Sequence, residues 1–369
     1  MTREEHEVTE PPKAALVQAC DDLDGTVDYF VNRLGFRLET IFPADEPRVA
    51  VITGHGLCLR LDRDAKVAPA VLRLPRALVG NPEDTARELT APNGTQILLV
   101  DRDIPDFNAP LTPEFMINQD GETLDTWVTG RARMRYRDLI PGRWNGHVVA
   151  SHIRIPDGGP VPDYVHYHDV RFQMIYCHRG WVRVVYQDQG APFVMRPGDC
   201  VLQPPGIRHQ VLEASDGLEV IEIGCPALHA THVDHAITLP SAEIAPNLTY
   251  GGQFFTRHIA AEAQWTPDPD SGFESRDLGI EKATQGLARV TVHRATRSDA
   301  ADNWEHSRGF RFLFTLSGAI ALTLGDAEPR GLRAGDAVTL PPGRAMSVAA
   351  ETRDAEILSI WISEQAFNP

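Results

Sequence analysis

The sequence predicts a mainly β protein, with two tandem antiparallel barrels preceded by a small α+β domain of order β-α-β-β-β. Three observations carry that prediction. Short alternating apolar and polar runs, such as residues 181–186 and 218–223, lie between glycines and prolines at about ten-residue intervals, which is the pattern of barrel strands. A set of turn residues recurs at a long fixed offset, as a duplicated domain requires. Near the start, one helical periodicity is interleaved with strand patterns.

Residues 1–12 form a polar tail, and residues 14–20 read as the first strand. Asp22 is placed to cap a helix carrying Val27, Phe30, Val31 and Leu34 at helical spacing, with Gly35 as its stop. Residues 36–41, 49–53 and 57–62 follow as strands, the last two joined by Gly54-His55-Gly56. With Asp22-Leu23 after the first strand, and Tyr29-Phe30 and Leu34-Gly35-Phe36 along the helix, residues 13–102 resemble the glyoxalase or vicinal-oxygen-chelate superfamily. A reduced second module would comprise a strand at 71–74, a helix begun by Asn81-Pro82, the Asn93-Gly94 turn and a strand at 96–100. That family's first-strand His falls near Ala15, and no later carboxylate or His completes a site. No metal centre is expected here. The domain is expected to pack on a barrel, build an oligomer or cover a pocket. Residues 103–130, rich in Pro, Asn and acidic side chains, read as a linker.

The first barrel, residues 131–240, carries the chemistry. His166-Tyr167-His168 leads to Gln173 and Gly180, and later come Gly198, Pro204, Gly206 and His209. Strand alternation puts His166 and His168 on one face, while the glycines and prolines turn the following strands back beside them. Three imidazoles so gathered suit iron, zinc, copper or nickel and leave coordination positions open.

These residues resemble the cupin superfamily, whose motifs read G-x5-H-x-H-x3,4-E-x6-G and G-x5-P-x-G-x2-H-x3-N. The second motif fits through His209. Gly159 lies one residue early, Gln173 replaces the usual Glu, and Glu213 replaces the closing Asn. The resemblance implies two jelly-roll barrels and one divalent ion held by His166, His168 and His209, with Gln173 as a fourth ligand or as a hydrogen-bond partner to bound water or substrate. Fe(II) is the expected metal, with Mn, Ni and Zn as alternatives.

The second barrel, residues 241–369, repeats the pattern without the ligands. An offset of 138 carries the first motif onto Trp304, His306, Arg311 and Gly318, and an offset of 137 carries the second onto Gly335, Pro341, Gly343 and Met346. Arg137-Asp138-Leu139 recurs as Arg276-Asp277-Leu278. Turns survive in this copy, and of the ligand positions only His306 keeps an imidazole, so one ion per chain is expected.

Around the first motif, Tyr164 shares strand parity with the two histidines, either facing the cavity or capping its rim. Arg154, one strand earlier, would bind a carboxylate substrate if directed inward, and would be a surface group otherwise. His152 on the same strand reads as a supporting or a structural histidine. Arg171 and Arg208 read as rim groups. His229, His232, Asp234 and His235 follow Cys225-Pro226 on a predicted turn and read as lid or interface material.

The net charge of −16, from 35 basic against 51 acidic side chains, argues against nucleic acid or an anionic membrane as partner. Five cysteines without a C-x-x-C pair suggest reduced thiols and a cytoplasmic protein. No apolar run is long enough to span a bilayer. A homodimer is the expected assembly. The expected function is a metal-dependent dioxygenase using O2 on a small aromatic or enolisable, anionic substrate. A redox-neutral lyase or isomerase, with Tyr164 or Tyr167 as base, and a non-catalytic small-molecule binder are the alternatives.

Overall fold

The computed structural model describes residues 14–79, 87–101, 111, 114–119, 127–304 and 308–367. The polar tail, the helix expected from Asn81-Pro82, most of the linker and His306 lie outside the described residues. The chain divides into two compact units, residues 1–106 and 107–369.

In the first unit the expected β-α-β-β-β order is present. Strand Leu16–Ala19 leads to helix Leu23–Asp28, which continues as a wider turn over Tyr29–Arg33. The Asp22 side chain caps the helix by accepting from the Gly25 amide at 3.0 Å, satisfying one of the unpaired donors of the first turn. Strands Arg37–Phe42, Val49–Gly54 and Leu57–Asp62 complete a four-stranded sheet in which the first strand runs parallel beside the last. A separate sheet joins Val71–Pro75, Gln96–Val100 and Glu88–Thr90. Leu23, Phe30, Leu34, Ile52, Leu59, Leu61 and Ile97, all with no exposed surface, share one core under both sheets.

The second unit contains both barrels, each a pair of facing sheets. In the first, a seven-stranded sheet runs Thr256–His258, Cys200–Leu202, Phe172–Arg179, Leu218–Cys225, Val149–Ile155, Arg135–Asp138, Val128–Thr129. Its partner sheet runs Phe193–Met195, Val182–Tyr186, His209–Ala214, His166–His168, Thr231–Val233. In the second barrel, a seven-stranded sheet ends on Phe310–Ser317, Ala337–Leu340 and Met116–Asn118. It faces a sheet of Ala301–Trp304, Met346–Ala350, Ala319–Leu324 and Arg330–Arg333.

Two strands correct the sequence boundaries. Met116–Asn118, within the expected linker, pairs with Ala337–Leu340 of the second barrel. Thr256–His258, assigned by sequence to the second barrel, pairs with Cys200–Leu202 of the first. The barrels thus exchange edge strands.

The central strands of each seven-stranded sheet are buried on both faces. Phe172, Met174, Tyr176, Ile221 and Ile223 of the first barrel share a core with Phe310, Phe312, Phe314, Leu358, Ile360 and Ile362 of the second. Full burial of each such side chain contributes about 1.5–3 kcal/mol, so the two halves are held as one body. The duplicated Arg-Asp-Leu adds polar staples. Arg137 donates from Nη2 to the Gly335 carbonyl at 2.8 Å, and Arg276 donates from Nη2 to the Tyr176 hydroxyl at 3.1 Å. The retained turn glycines have a steric reason. A Cβ on Gly180 (φ +72°) would lie 2.4 Å from Ser215 Oγ, and one on Gly318 (φ +65°) would lie 2.3 Å from Thr352 Oγ1. No helix among the described residues is long and apolar enough to cross a membrane.

Candidate metal centre

His166 and His168 lie on the inner face of their short strand, with His166 directly opposite His209 on the adjacent one. The ligating nitrogens of the three residues all lie within 4.8 Å of one another. This is the one such group of ligating side chains among the described residues. His166 has no exposed surface, and His168 and His209 are buried.

Each ring is oriented through Nδ1. His166 Nδ1 lies 2.8 Å from the Tyr164 carbonyl and His209 Nδ1 lies 3.0 Å from the Ile207 carbonyl. Carbonyls only accept, so these Nδ1 atoms carry the proton and leave the Nε2 lone pairs free. His168 Nδ1 meets Thr231 Oγ1 at 2.9 Å. Burial, and then the positive charges of neighbouring groups, lower all three pKa values, that of His168 to about 2. The imidazoles are therefore neutral at neutral pH. His166 Nε2 and Gln173 Oε1 are sealed from solvent without a hydrogen-bond partner. Buried lone pairs left without a donor fit a divalent cation.

Gln173 is fixed by a residue that the sequence reading missed. Its Nε2 donates to Glu222 Oε1 at 2.5 Å. Glu222 shares strand parity with Leu218 and Val220, and all three line the cavity beside the histidines. A carboxylate continuing an otherwise apolar inward row was the available signal. The cavity measures about 290 Å³, at the small end of ligand pockets. Its walls include Met134, Ile153, Ile175, Val182, Val184, Met195 and Val211.

Two expected site residues are elsewhere. Tyr164 precedes the strand, is 42% exposed and does not line the cavity; its part in the site is the carbonyl that orients His166. Its strand parity fails because the strand begins only at His166. Arg154 lies on the face opposite the cavity-lining Val149, Ser151, Ile153 and Ile155. There it donates to Glu219 Oε1 at 2.7 Å and stacks over Trp127 at 4.8 Å, so it cannot anchor a substrate carboxylate. His152 shares that outer face and meets Glu219 Oε2 at 2.8 Å.

Arg131 is the arginine that lines the cavity, and it is already ion-paired with the fully buried Asp163 carboxylate. Tyr167 points away from the metal group, stacked on His232 and beneath Arg208. The tyrosines that do line the cavity are Tyr136 and Tyr186. Burial raises both hydroxyl pKa values, that of Tyr136 to about 12, so they stay protonated.

The His229 to His235 segment is a strand at Thr231–Val233 that pairs with His166–His168, rather than a turn. It does not gather a metal group. His229 lines the cavity with its ring 5.5 Å from that of His168, whereas His232 pairs outward with Asp169 and Asp234 with Arg208.

Residues 151–223 match the family model described as "Cupin domain". No curated protein sequence matches the chain. Among solved structures, a mutant of Bacillus subtilis oxalate decarboxylase superposes with a TM-score of 0.51 at 13% identity, covering 70% of this chain and 80% of that one. The same enzyme, in a structure concerned with its Mn(II) centres, gives 0.51 at 14% identity with the same coverage. A salicylate 1,2-dioxygenase from Pseudaminobacter salicylatoxidans gives 0.45 at 16% identity over 59% of this chain and 71% of that one, too distant to carry inference. At these identities the likeness is one of fold, and the fold is the tandem-barrel architecture expected from the sequence.

Proposed function

We propose that the first barrel is the active site of a metal-dependent enzyme that oxidises a small enolisable substrate with O2, Fe(II) being the metal suited to both tasks. The observation that carries this reading is the meeting of three neutral imidazoles, with free Nε2 lone pairs on at least two, at the wall of an apolar cavity. When bound, a redox-active divalent ion supplies chelation of the substrate and an electronic path to O2.

The remaining roles belong to side chains. Glu222 is the carboxylate in the cavity and takes the substrate's enolisable proton, with Gln173 Nε2 holding its Oε1 and leaving Oε2 to act as base. The neutral donor set then favours the resulting anion, because no ligand charge offsets that of the ion. Since Arg131 is occupied by Asp163 and Arg154 faces away, the substrate enters uncharged and becomes anionic inside. Apolar walls exclude water, and Tyr186, whose hydroxyl oxygen accepts from Gln203 Nε2 at 2.8 Å and keeps its own proton free, orients the substrate as a donor.

A redox-neutral isomerase or lyase is the second reading, favoured by the same proton-accepting Glu222. Elemental assay of protein purified without oxygen, followed by O2-electrode screening of 1,3-diketones and catechols, with hydroxybenzoates as the charged comparison, tests both. We expect one ion per chain and substrate-dependent O2 uptake, both lost in His209→Ala. Glu222→Gln should keep the ion and lose about 10²- to 10⁴-fold in turnover. Turnover without O2 uptake selects the second reading, and metal-free protein eliminates both.

A further inference from the structure

The second barrel keeps the strands of the first and inverts the charge of its interior. Strand register fixes the correspondence. In the first barrel Gln173 lies opposite Gly224 and Ile175 opposite Glu222. In the second, Arg311 lies opposite Trp361 and Leu313 opposite Ser359. His166 opposite His209 becomes Trp304 opposite Met346. The Gln173–Glu222 pair, one negative charge, is thus replaced by Arg311 and Ser359, one positive charge.

Alternation decides where these side chains point. Phe310, Phe312 and Phe314 belong to the core between the barrels, and Leu313 belongs to the core inside the second, so Arg311 projects inward. By the same test Ser359 and Trp361 share the inner face with Ile357, while Leu358, Ile360 and Ile362 face the first barrel. Leu313, Ile320, Leu322 and Val348 fill the interior, which leaves the half-buried Arg311 and Trp361 at its mouth.

Arg311 has no ion pair there among the described residues. Its Nε is sealed from solvent without a hydrogen-bond partner. The neighbouring Arg289 already holds Glu281 through two bonds of 2.8 and 2.7 Å. His293 on the same inner face is kept neutral, its pKa pushed down to about 4 by burial and then by Arg311. A guanidinium partly withdrawn from water without an ion pair is destabilising, and its planar fork of N–H donors matches a carboxylate.

We propose that the mouth of the second barrel is an anion site, in which Arg311 binds a small carboxylate bidentately. Ser359 offers a hydroxyl, and the ring of Trp361 forms a flat wall, fixed by its Nε1 donating to the Arg308 carbonyl at 2.7 Å. The site is independent of any metal in the first barrel.

The test is calorimetric titration of benzoate into full-length His209→Ala protein, in which the metal group is dismantled. One saturable site is expected. Adding Arg311→Met should weaken it by about 10- to 100-fold, the worth of charge-assisted hydrogen bonds, and Arg311→Lys should weaken it less. Arg311→Met should also raise the melting temperature of ligand-free protein, because it removes a charge that has no ion pair among the described residues. Absence of saturable binding, unchanged affinity in Arg311→Met, or a variant that melts lower or fails to fold would each overturn the proposal, the last two by making Arg311 a structural residue.

Discussion

Gln173 stands where the cupin motif usually carries Glu, and its contact with Glu222 predicts what reversing that exchange would do. Gln173→Glu would replace an amide–carboxylate hydrogen bond of 2.5 Å by two carboxylates in contact. At about 4 Å and an effective dielectric constant near 20, like charges repel by about 4 kcal/mol. The pair can escape by sharing a proton, which raises its folded pKa above the unfolded value of about 4.3. A raised folded pKa means that stability is present below the unfolded value and is lost as pH rises through the folded one. Metal-free Gln173→Glu should therefore approach wild type near about pH 4.5 and fall below it by roughly 4 kcal/mol at about pH 8. Urea denaturation at both pH values reads the difference. The double variant Gln173→Glu/Glu222→Gln rebuilds the bond with its partners exchanged and should recover wild-type behaviour at both. A single variant as stable as wild type at the higher pH, or a double variant that fails to recover, would refute the argument.

Thr231→Val removes the oxygen that orients His168, and should weaken metal binding by about 10- to 100-fold in competition between Co(II)-loaded protein and a chromogenic chelator. His178 and His293 are pushed down to about 4, chiefly by burial. Their contribution to stability is present above the unfolded value of about 6.5 and is lost as pH falls towards 4, at up to ~1.4 kcal/mol per pH unit for each. Metal-free protein should lose stability at least that steeply, because burial lowers the pKa of His166, His168 and His209 as well, and a flat profile over this range would contradict it. Gly318→Ala places a Cβ 2.7 Å from the Ala355 amide nitrogen at φ +65°, and should cost about 2 kcal/mol or more in urea denaturation.

The turns and the histidine group were legible because they depend on local rules: glycines at positive φ, and two side chains one residue apart on a strand. Arg154 was not, for a reason peculiar to this architecture. Alternation tells which residues share a face, but the sheet holding Arg154 has the cavity on one side and the second barrel on the other, so hydrophobicity does not say which face is inward. Glu222 and Arg131 reach the site from strands and turns far away in sequence, and only register brings them there. Tyr164 misled through a parity extended past the strand's end. The passage of Met116–Asn118 and Thr256–His258 into the opposite barrels is likewise a non-local pairing that composition does not encode.

That passage has a consequence for anyone who would take the molecule apart. A fragment ending at residue 240 would retain the three histidines yet leave Cys200–Leu202 as a raw border of unpaired amides, while its own Met116–Asn118 would dangle without a mate. Such fragments invite sticking to one another along those borders. Severed halves supplied together, by contrast, carry complementary flaps and have a built-in route to reassembly.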